Sequence, residues 1–223
     1  MKKGRLICLT GIDGSGKTTL AHNLSDWLSR RGQKYQYVYA RFLPMLVSPV
    51  WGAAKRVFLS QEERRQGYAE YTARKRNLLK PGILSRLHEF SVMVDYWIQI
   101  LFKVALPIRL GKNLICDRYV YDTVVSDLAP DLKYSHEQMQ KVIDFCLAIM
   151  PRPDLVFLLD VPETTTLSRK TDVAAVDYVI ERREIYRSLT LRERVVALDG
   201  TLPREQVRDR AGEMVLKHFG GPV

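Results

Sequence analysis

The stretch RLICLTGIDGSGKTT, residues 5–19, decides the fold. Arg5–Thr10 is a short run of apolar residues that reads as a buried strand, and a helical pattern opens at Lys17 and runs to about Arg31, stopping at Gly32. Between them Gly11, Gly16, Lys17 and Thr18 are spaced as Gly-x-x-x-x-Gly-Lys-Thr. In a loop of this kind the glycines let backbone N–H groups turn inward around oxyanions, and the start of the helix adds its positive end at the same point. Gly11, Asp13, Gly14, Ser15, Gly16, Lys17, Thr18 and Thr19 are therefore expected to cradle the phosphates of ATP or a close relative, with Lys17 bridging the β- and γ-phosphates. The Thr18 hydroxyl is a hard oxygen suited to Mg²⁺, an ion usually shared between protein and nucleotide.

Outward from that loop, Tyr35–Ala40, Asn113–Cys116, Leu155–Leu159 and Val195–Leu198 are further apolar runs with strand character, separated by helical patterns. One helix is expected to start at Ser135, with Gln138 completing a capping box. Strands alternating with helices need right-handed crossovers, so the expected architecture is α/β, a doubly wound five-stranded parallel sheet of the P-loop NTPase type. No strand candidate lies between Leu43 and Leu110; Pro44, Pro49 and the pair Pro81–Gly82 break a helix-like sequence there. The expectation is one domain over residues 1–223, with a helical acceptor-side region at 44–110.

The chain has 223 residues, 46% of them hydrophobic and 27% charged, which excludes a disordered protein. Its formal charge of +10 favours anionic partners without choosing among them. Cys8, Cys116 and Cys146 sit in apolar surroundings at spacings that fit neither a disulfide framework nor a zinc site. The strand begins almost at once after Lys2 and Lys3, leaving no room for a signal-peptide apolar region and predicting a cytoplasmic protein. Phe90–Leu110 is apolar but interrupted by Asp95, Gln99, Lys103 and Pro107, as in a buried amphipathic helix rather than a transmembrane segment.

The third strand runs directly into Asp117-Arg118-Tyr119, at the carboxyl end where ligands bind in open α/β sheets. A carboxylate there can organise a metal shell or an attacking oxygen, and an arginine can hold transferring phosphates. A GTPase is disfavoured, because no guanine-reading Asn-Lys-x-Asp segment occurs.

Taken together, GIDGSGKTT at 11–19, CDRY at 116–119, DLVFLLDVPE at 154–163, ERREIY at 181–186 and VALDGT at 196–201 resemble the thymidylate kinase family of P-loop nucleoside monophosphate kinases. The resemblance implies an ATP- and Mg²⁺-dependent transfer to dTMP, a small-molecule acceptor, by an enzyme that often forms homodimers. It implies an acceptor-sugar contact for Asp13, a grip on the acceptor phosphate for Arg41, and a role for Arg118 between both phosphoryl groups. Asp117 would organise metal and acceptor, and Tyr119 would lie on the acceptor side. Asp160 would be catalytic or would cap the next helix, and the Asp199-Gly200-Thr201 loop would lie beside adenine.

Some family members carry an arginine in the phosphate loop, where this chain has Ser15, and others supply it from a lid after the fourth strand. The chain therefore points to a lid at 168–176, with Arg169 as its catalytic cation and Arg182, Arg183 and Arg187 as alternatives. The family's Phe-x-x-x-Arg segment, which reads the acceptor base, aligns with Val92 to Tyr96 and is not kept. Phe90, Tyr96 or Trp97 would have to supply the stacking face. The aromatic and basic residues Trp51, Tyr68, Tyr71 and Arg74–Arg76 would lie beside the same acceptor side. That divergence leaves two alternatives: a kinase of the same fold acting on a different nucleotide, nucleoside or small molecule, or a nucleotide-binding regulatory or nucleic-acid-associated protein.

Overall fold

A computed structural model of the chain describes residues 3–42, 83–129, 134–169 and 176–220, with side chains placed at 3–42, 90–129, 134–166 and 179–220. The elements in order are β1 (Leu6–Thr10), α1 (Lys17–Ser29), β2 (Tyr35–Tyr39), α2 (Ile83–Ile100), β3 (Asn113–Asp117), α3 (Val120–Asp122), α4 (His136–Ile149), β4 (Leu155–Asp160), α5 (Glu163–Arg169), α6 (Val176–Ser188), β5 (Val195–Asp199) and α7 (Arg204–Phe219). The five strands form one parallel sheet in the order β2-β3-β1-β4-β5. This is the expected α/β arrangement. Asp117, read as following the third strand, is its last residue.

The central strand β1 is buried along its whole length, which is why LICLT carries no polar alternation. Side chains alternate across it into two cores. Leu6 and Cys8 join the face covered by α2, α3, α4 and α6, while Ile7 and Leu9 join the face covered by α1 and α7. Both faces are thus closed, leaving the carboxyl ends of the strands as the open crevice. Cys8, Cys116 and Cys146 are free and buried, as expected.

Helix α4 starts with the expected capping box: the Gln138 N–H donates to Ser135 Oγ at 3.2 Å, and the Ser135 N–H donates to Gln138 Oε1 at 2.8 Å. Helix α2 continues through a π-helical turn at Leu101–Ala105 into Leu106–Arg109. Phe90–Arg109 is the one stretch among the described residues that is long and apolar enough to cross a bilayer. It instead lays Val92, Tyr96, Ile100, Val104 and Ile108, four apart, into the core. Its buried polar residues satisfy each other, with Gln99 Nε2 donating to Asp95 Oδ1 at 3.0 Å.

Candidate active site

The phosphate loop leaves β1 at Gly11, whose φ of +141° lies outside the range of ordinary residues. A Cβ there would sit 2.6 Å from the Leu159 carbonyl oxygen, so only glycine lets the loop turn this tightly over β4. Gly16 ends the loop as the N-cap of α1, and no side chain caps the helix start. The first amides of α1 are therefore left for an anion.

Lys17 is buried, and its Nζ donates to the carbonyls of Gly11 at 2.7 Å and Ile12 at 2.8 Å. Burial pulls the ammonium down to about 8, while Asp122 opposes that pull. Thr18 Oγ1 donates to Asp117 Oδ2 at 2.6 Å, and Tyr37 on β2 donates to the same oxygen at 3.1 Å. Burial and the Asp117 carboxylate together push the Tyr37 phenol up to about 12. With Oδ2 doubly engaged, Asp117 Oδ1 is buried without a hydrogen-bond partner among the described residues. A buried unpaired carboxylate oxygen beside a threonine hydroxyl fits a divalent ion or its water shell. Among the described residues no group of three or more His, Cys, Asp or Glu side chains could hold a metal by itself. An ion here would draw most of its ligands from phosphate and water.

Arg118 follows the strand with φ +67°, a left-handed backbone unusual for a non-glycine residue. Its Nη2 lies 2.6 Å from Asp13 Oδ1 and its Nη1 3.8 Å from Asp122 Oδ1. Its Nε and Nη1 are buried and make no hydrogen bond among the described residues. Unused buried guanidinium donors beside a phosphate loop are suited to an incoming oxyanion. Burial pulls the Asp13 carboxyl upward, but Arg118 and Lys17 outweigh it and hold the group below its usual range.

Arg41, just past β2, donates from Nε to both oxygens of Asp127, at 3.1 and 3.2 Å, and its Nη1 lies 4.0 Å from Asp13. The Asp127 hydrogen bonds raise its already high pKa further. Asp127, Arg41, Asp13, Arg118 and Asp122 thus form a row of alternating charge across the mouth of the loop. The sequence reading named three of these five. Asp122 falls four residues past Arg118, one helical turn, a spacing that could have singled it out; Asp127, nine residues past it, carries no such signal.

Two residues expected on the acceptor side are not brought there. Tyr96 is wholly buried, donates to the Ala40 carbonyl at 3.2 Å and meets Phe42 edge-on, so its ring is core rather than a stacking platform. Tyr119 is also wholly buried and donates to the Pro151 carbonyl at 2.9 Å. Both are large amphipathic rings whose single hydroxyl finds a backbone acceptor, the usual condition for burying tyrosine. Phe90 and Trp97 lie exposed on α2.

Asp160 accepts from Arg183 at 2.7 and 3.1 Å, and Arg183 also reaches Glu163, which ties the end of β4 to α5 and α6. Arg182 is buried and donates to the Val125 carbonyl at 2.7 Å, whereas Arg187 is exposed and lies 3.7 Å from Asp160. Arg169 ends the α5 backbone; its side chain, most of the expected lid, and Trp51, Tyr68, Tyr71 and Arg74–Arg76 lie outside the described residues. The loop after β5 approaches the phosphate loop closely. A Cβ on Gly200 would meet Val161 at 2.5 Å and the Ser15 carbonyl oxygen at 3.5 Å, a fit that glycine alone allows.

No family model matches the chain. Individual proteins do. A protein of Staphylothermus marinus named probable thymidylate kinase is 24% identical over 223 residues, covering 97% of this chain and 96% of its own. The thymidylate kinase of Neisseria meningitidis serogroup A is 25% identical over 235 aligned positions, covering 98% and 99%. A probable thymidylate kinase of Pyrococcus abyssi is 29% identical over 171 residues, covering 75% and 70%. The first two alignments, covering 97% and 98% of this chain, take in the phosphate loop, the charged row and the β5 loop together.

The chain is similar to thymidylate kinases over nearly its whole length. The likeness is thus to enzymes, nucleoside monophosphate kinases by name. Ser15, at the loop position read as lacking an arginine, is buried.

Proposed function

We propose that the chain transfers the γ-phosphoryl group of ATP to dTMP, giving dTDP and ADP. The observation that carries this reading is the set of unsatisfied or loosely held polar groups around the loop. These are the uncapped start of α1, the two Arg118 nitrogens that make no hydrogen bond among the described residues, and the Asp117 Oδ1 that accepts none there, all at one end of the sheet. The names of the full-length relatives supply the acceptor.

Phosphoryl transfer needs positioning and charge neutralisation more than covalent help from the protein. In-line attack by a dTMP phosphate oxygen forms the new P–O bond while the bond between the γ-phosphorus and the β,γ-bridging oxygen breaks, and ADP leaves. Lys17 would exchange its carbonyl partners for β- and γ-phosphate oxygens, whose charge restores the ammonium that burial disfavours. Arg118 would meet the transferring group with the donors that are unused here, held on its other edge by Asp13. Asp13 would contact the acceptor sugar hydroxyl, and Arg41 the acceptor phosphate, aimed by Asp127.

Mg²⁺ at Thr18 and Asp117 would offset phosphate charge as it develops. Tyr37 and Thr18, by donating to Asp117 Oδ2, would leave Oδ1 for the ion or its water shell. Arg169 would provide the additional cation when the 168–176 segment covers the nucleotide and excludes water. We take the protein to be a cytoplasmic single kinase domain that acts on a small molecule rather than on nucleic acid. The apolar side chains exposed on α2 and the π-helical turn after it, Phe90, Trp97 and Phe102, support a homodimer.

A coupled assay of ADP release with Mg·ATP, screened across nucleoside monophosphates and nucleosides, tests the assignment. The highest kcat/KM is expected with dTMP; release that no acceptor stimulates would refute it.

A further inference from the structure

Asp122 is a wholly buried carboxylate that the mechanism above leaves without a task. It ends α3, one turn beyond Arg118, and its Oδ1 lies 3.8 Å from Arg118 Nη1. The same oxygen accepts the Tyr186 hydroxyl at 3.2 Å, and Tyr186, itself wholly buried on α6, shares a 2.8 Å hydrogen bond with Ser126. The charged and polar groups facing Asp122 come from every neighbouring element: Thr10 from β1, Asp13 from the loop, Lys17 from α1, Arg118 from the turn after β3, and Tyr186 from α6.

A carboxylate is kept in a core only when other charges or hydrogen bonds compensate it. The cations that do so here are the two assigned to the transferring phosphates, Lys17 and Arg118. An asparagine would fill the same space and still accept from Tyr186. What only the carboxylate supplies is a negative charge behind the Arg118 guanidinium, opposite Asp13. The left-handed backbone of Arg118 makes this possible, because the chain turns there and brings the following helical turn behind the side chain.

We propose that Asp122 is a positioning residue that holds Arg118 from the core side and, through Tyr186, registers α6 against that arginine. The proposal rests on the assignment of Arg118 to the transferring phosphate. Movement of α6, the helix after the expected lid, would then reach Arg118 through a single buried hydrogen bond.

The full chain, Asp122→Asn, Tyr186→Phe and the double variant would be compared in steady-state ADP release with dTMP, after thermal unfolding shows that each is folded. Asp122→Asn is expected to lower kcat about tenfold or more, with both KM values within about threefold, because the loss falls on transfer rather than binding. Tyr186→Phe should lower kcat about threefold, and the double variant should be no slower than Asp122→Asn alone, since both act through one guanidinium. A kcat within about twofold of wild type in Asp122→Asn, or losses that multiply in the double variant, would overturn the proposal. If Asp122→Asn does not fold, Tyr186→Phe decides alone, and an unchanged kcat overturns it.

If the wild-type chain releases no ADP with dTMP, the activity assignment has failed and the same variants are read by calorimetric binding of ATP. The proposal then expects affinity to weaken about threefold or more, again non-additively, and equal affinities contradict it.

Discussion

The proposed donor side and the proposed acceptor side of the crevice are built by different means. Around the donor phosphates nearly everything comes from one continuous stretch, Gly11–Thr19, and much of it is backbone: a glycine turn, the uncapped amides of α1, and a lysine held by two loop carbonyls. Around the acceptor the groups are side chains gathered from far apart, Arg41 from the end of β2, Arg118 and Asp127 from beyond β3, with Asp13 alone reaching over from the loop. Backbone recognition tolerates little variation and asks only for a phosphate. Recognition by paired side chains can be retuned one residue at a time.

That contrast can be broken by substitution. Replacing Lys17 with Ala removes the one side-chain cation of the donor loop and should lower kcat by about 10³-fold, measured as ADP release at saturating ATP and dTMP. A loss confined to KM would mean that Lys17 only binds nucleotide.

The carboxylate behind the two phosphate cations should be visible in stability. Burial pushes the Asp122 carboxyl up to about 6 from an ordinary 3.8, despite Lys17 and Arg118. The folded state therefore binds more protons than the unfolded state between those values, so the favourable contribution of the neutral acid is complete below about pH 4 and is lost as pH rises through 6. Urea unfolding should show a decline on the order of 3 kcal/mol across that window, the energy equivalent of such a shift. Asp122→Asn should flatten it. An identical slope in the variant would place the titration elsewhere. The fold thus carries a destabilising charge at neutral pH, as expected where a group is kept for function.

On the acceptor side, Arg41→Ala should raise the KM for dTMP about 10- to 100-fold, the range for a charge-assisted phosphate contact, and change the KM for ATP far less. Equal changes in both would erase the distinction between the two sides. The smallest effect should come from Tyr37→Phe, which removes one of two donors to Asp117 Oδ2 and should weaken Mg²⁺-dependent ATP binding about fivefold by calorimetry. No change with Mg²⁺ present would show that Thr18 alone orients Asp117.

The same contrast explains what could be read from the amino-acid sequence. The phosphate loop, the five strands and the Ser135 capping box depend on local spacing, so they were legible. Asp117 and Arg118 were legible because a strand delivers them to its carboxyl end. Tyr96 and Tyr119 were misplaced for a physical reason: an aromatic near a site stacks on a ligand or packs in the core, and only the direction of its ring decides. Nor does local sequence show that Asp127 would clamp Arg41 across 86 positions, or that Tyr186 would reach back to Asp122. Such pairs exist only once the sheet has closed.

The central claim is transfer between two bound phosphates, and the most direct measurement is ³¹P NMR of the purified chain with Mg·ATP and dTMP. The account predicts that dTDP resonances grow in step with ADP, with little inorganic phosphate, and that Lys17→Ala abolishes both. ADP accompanied by inorganic phosphate and no dTDP would contradict it.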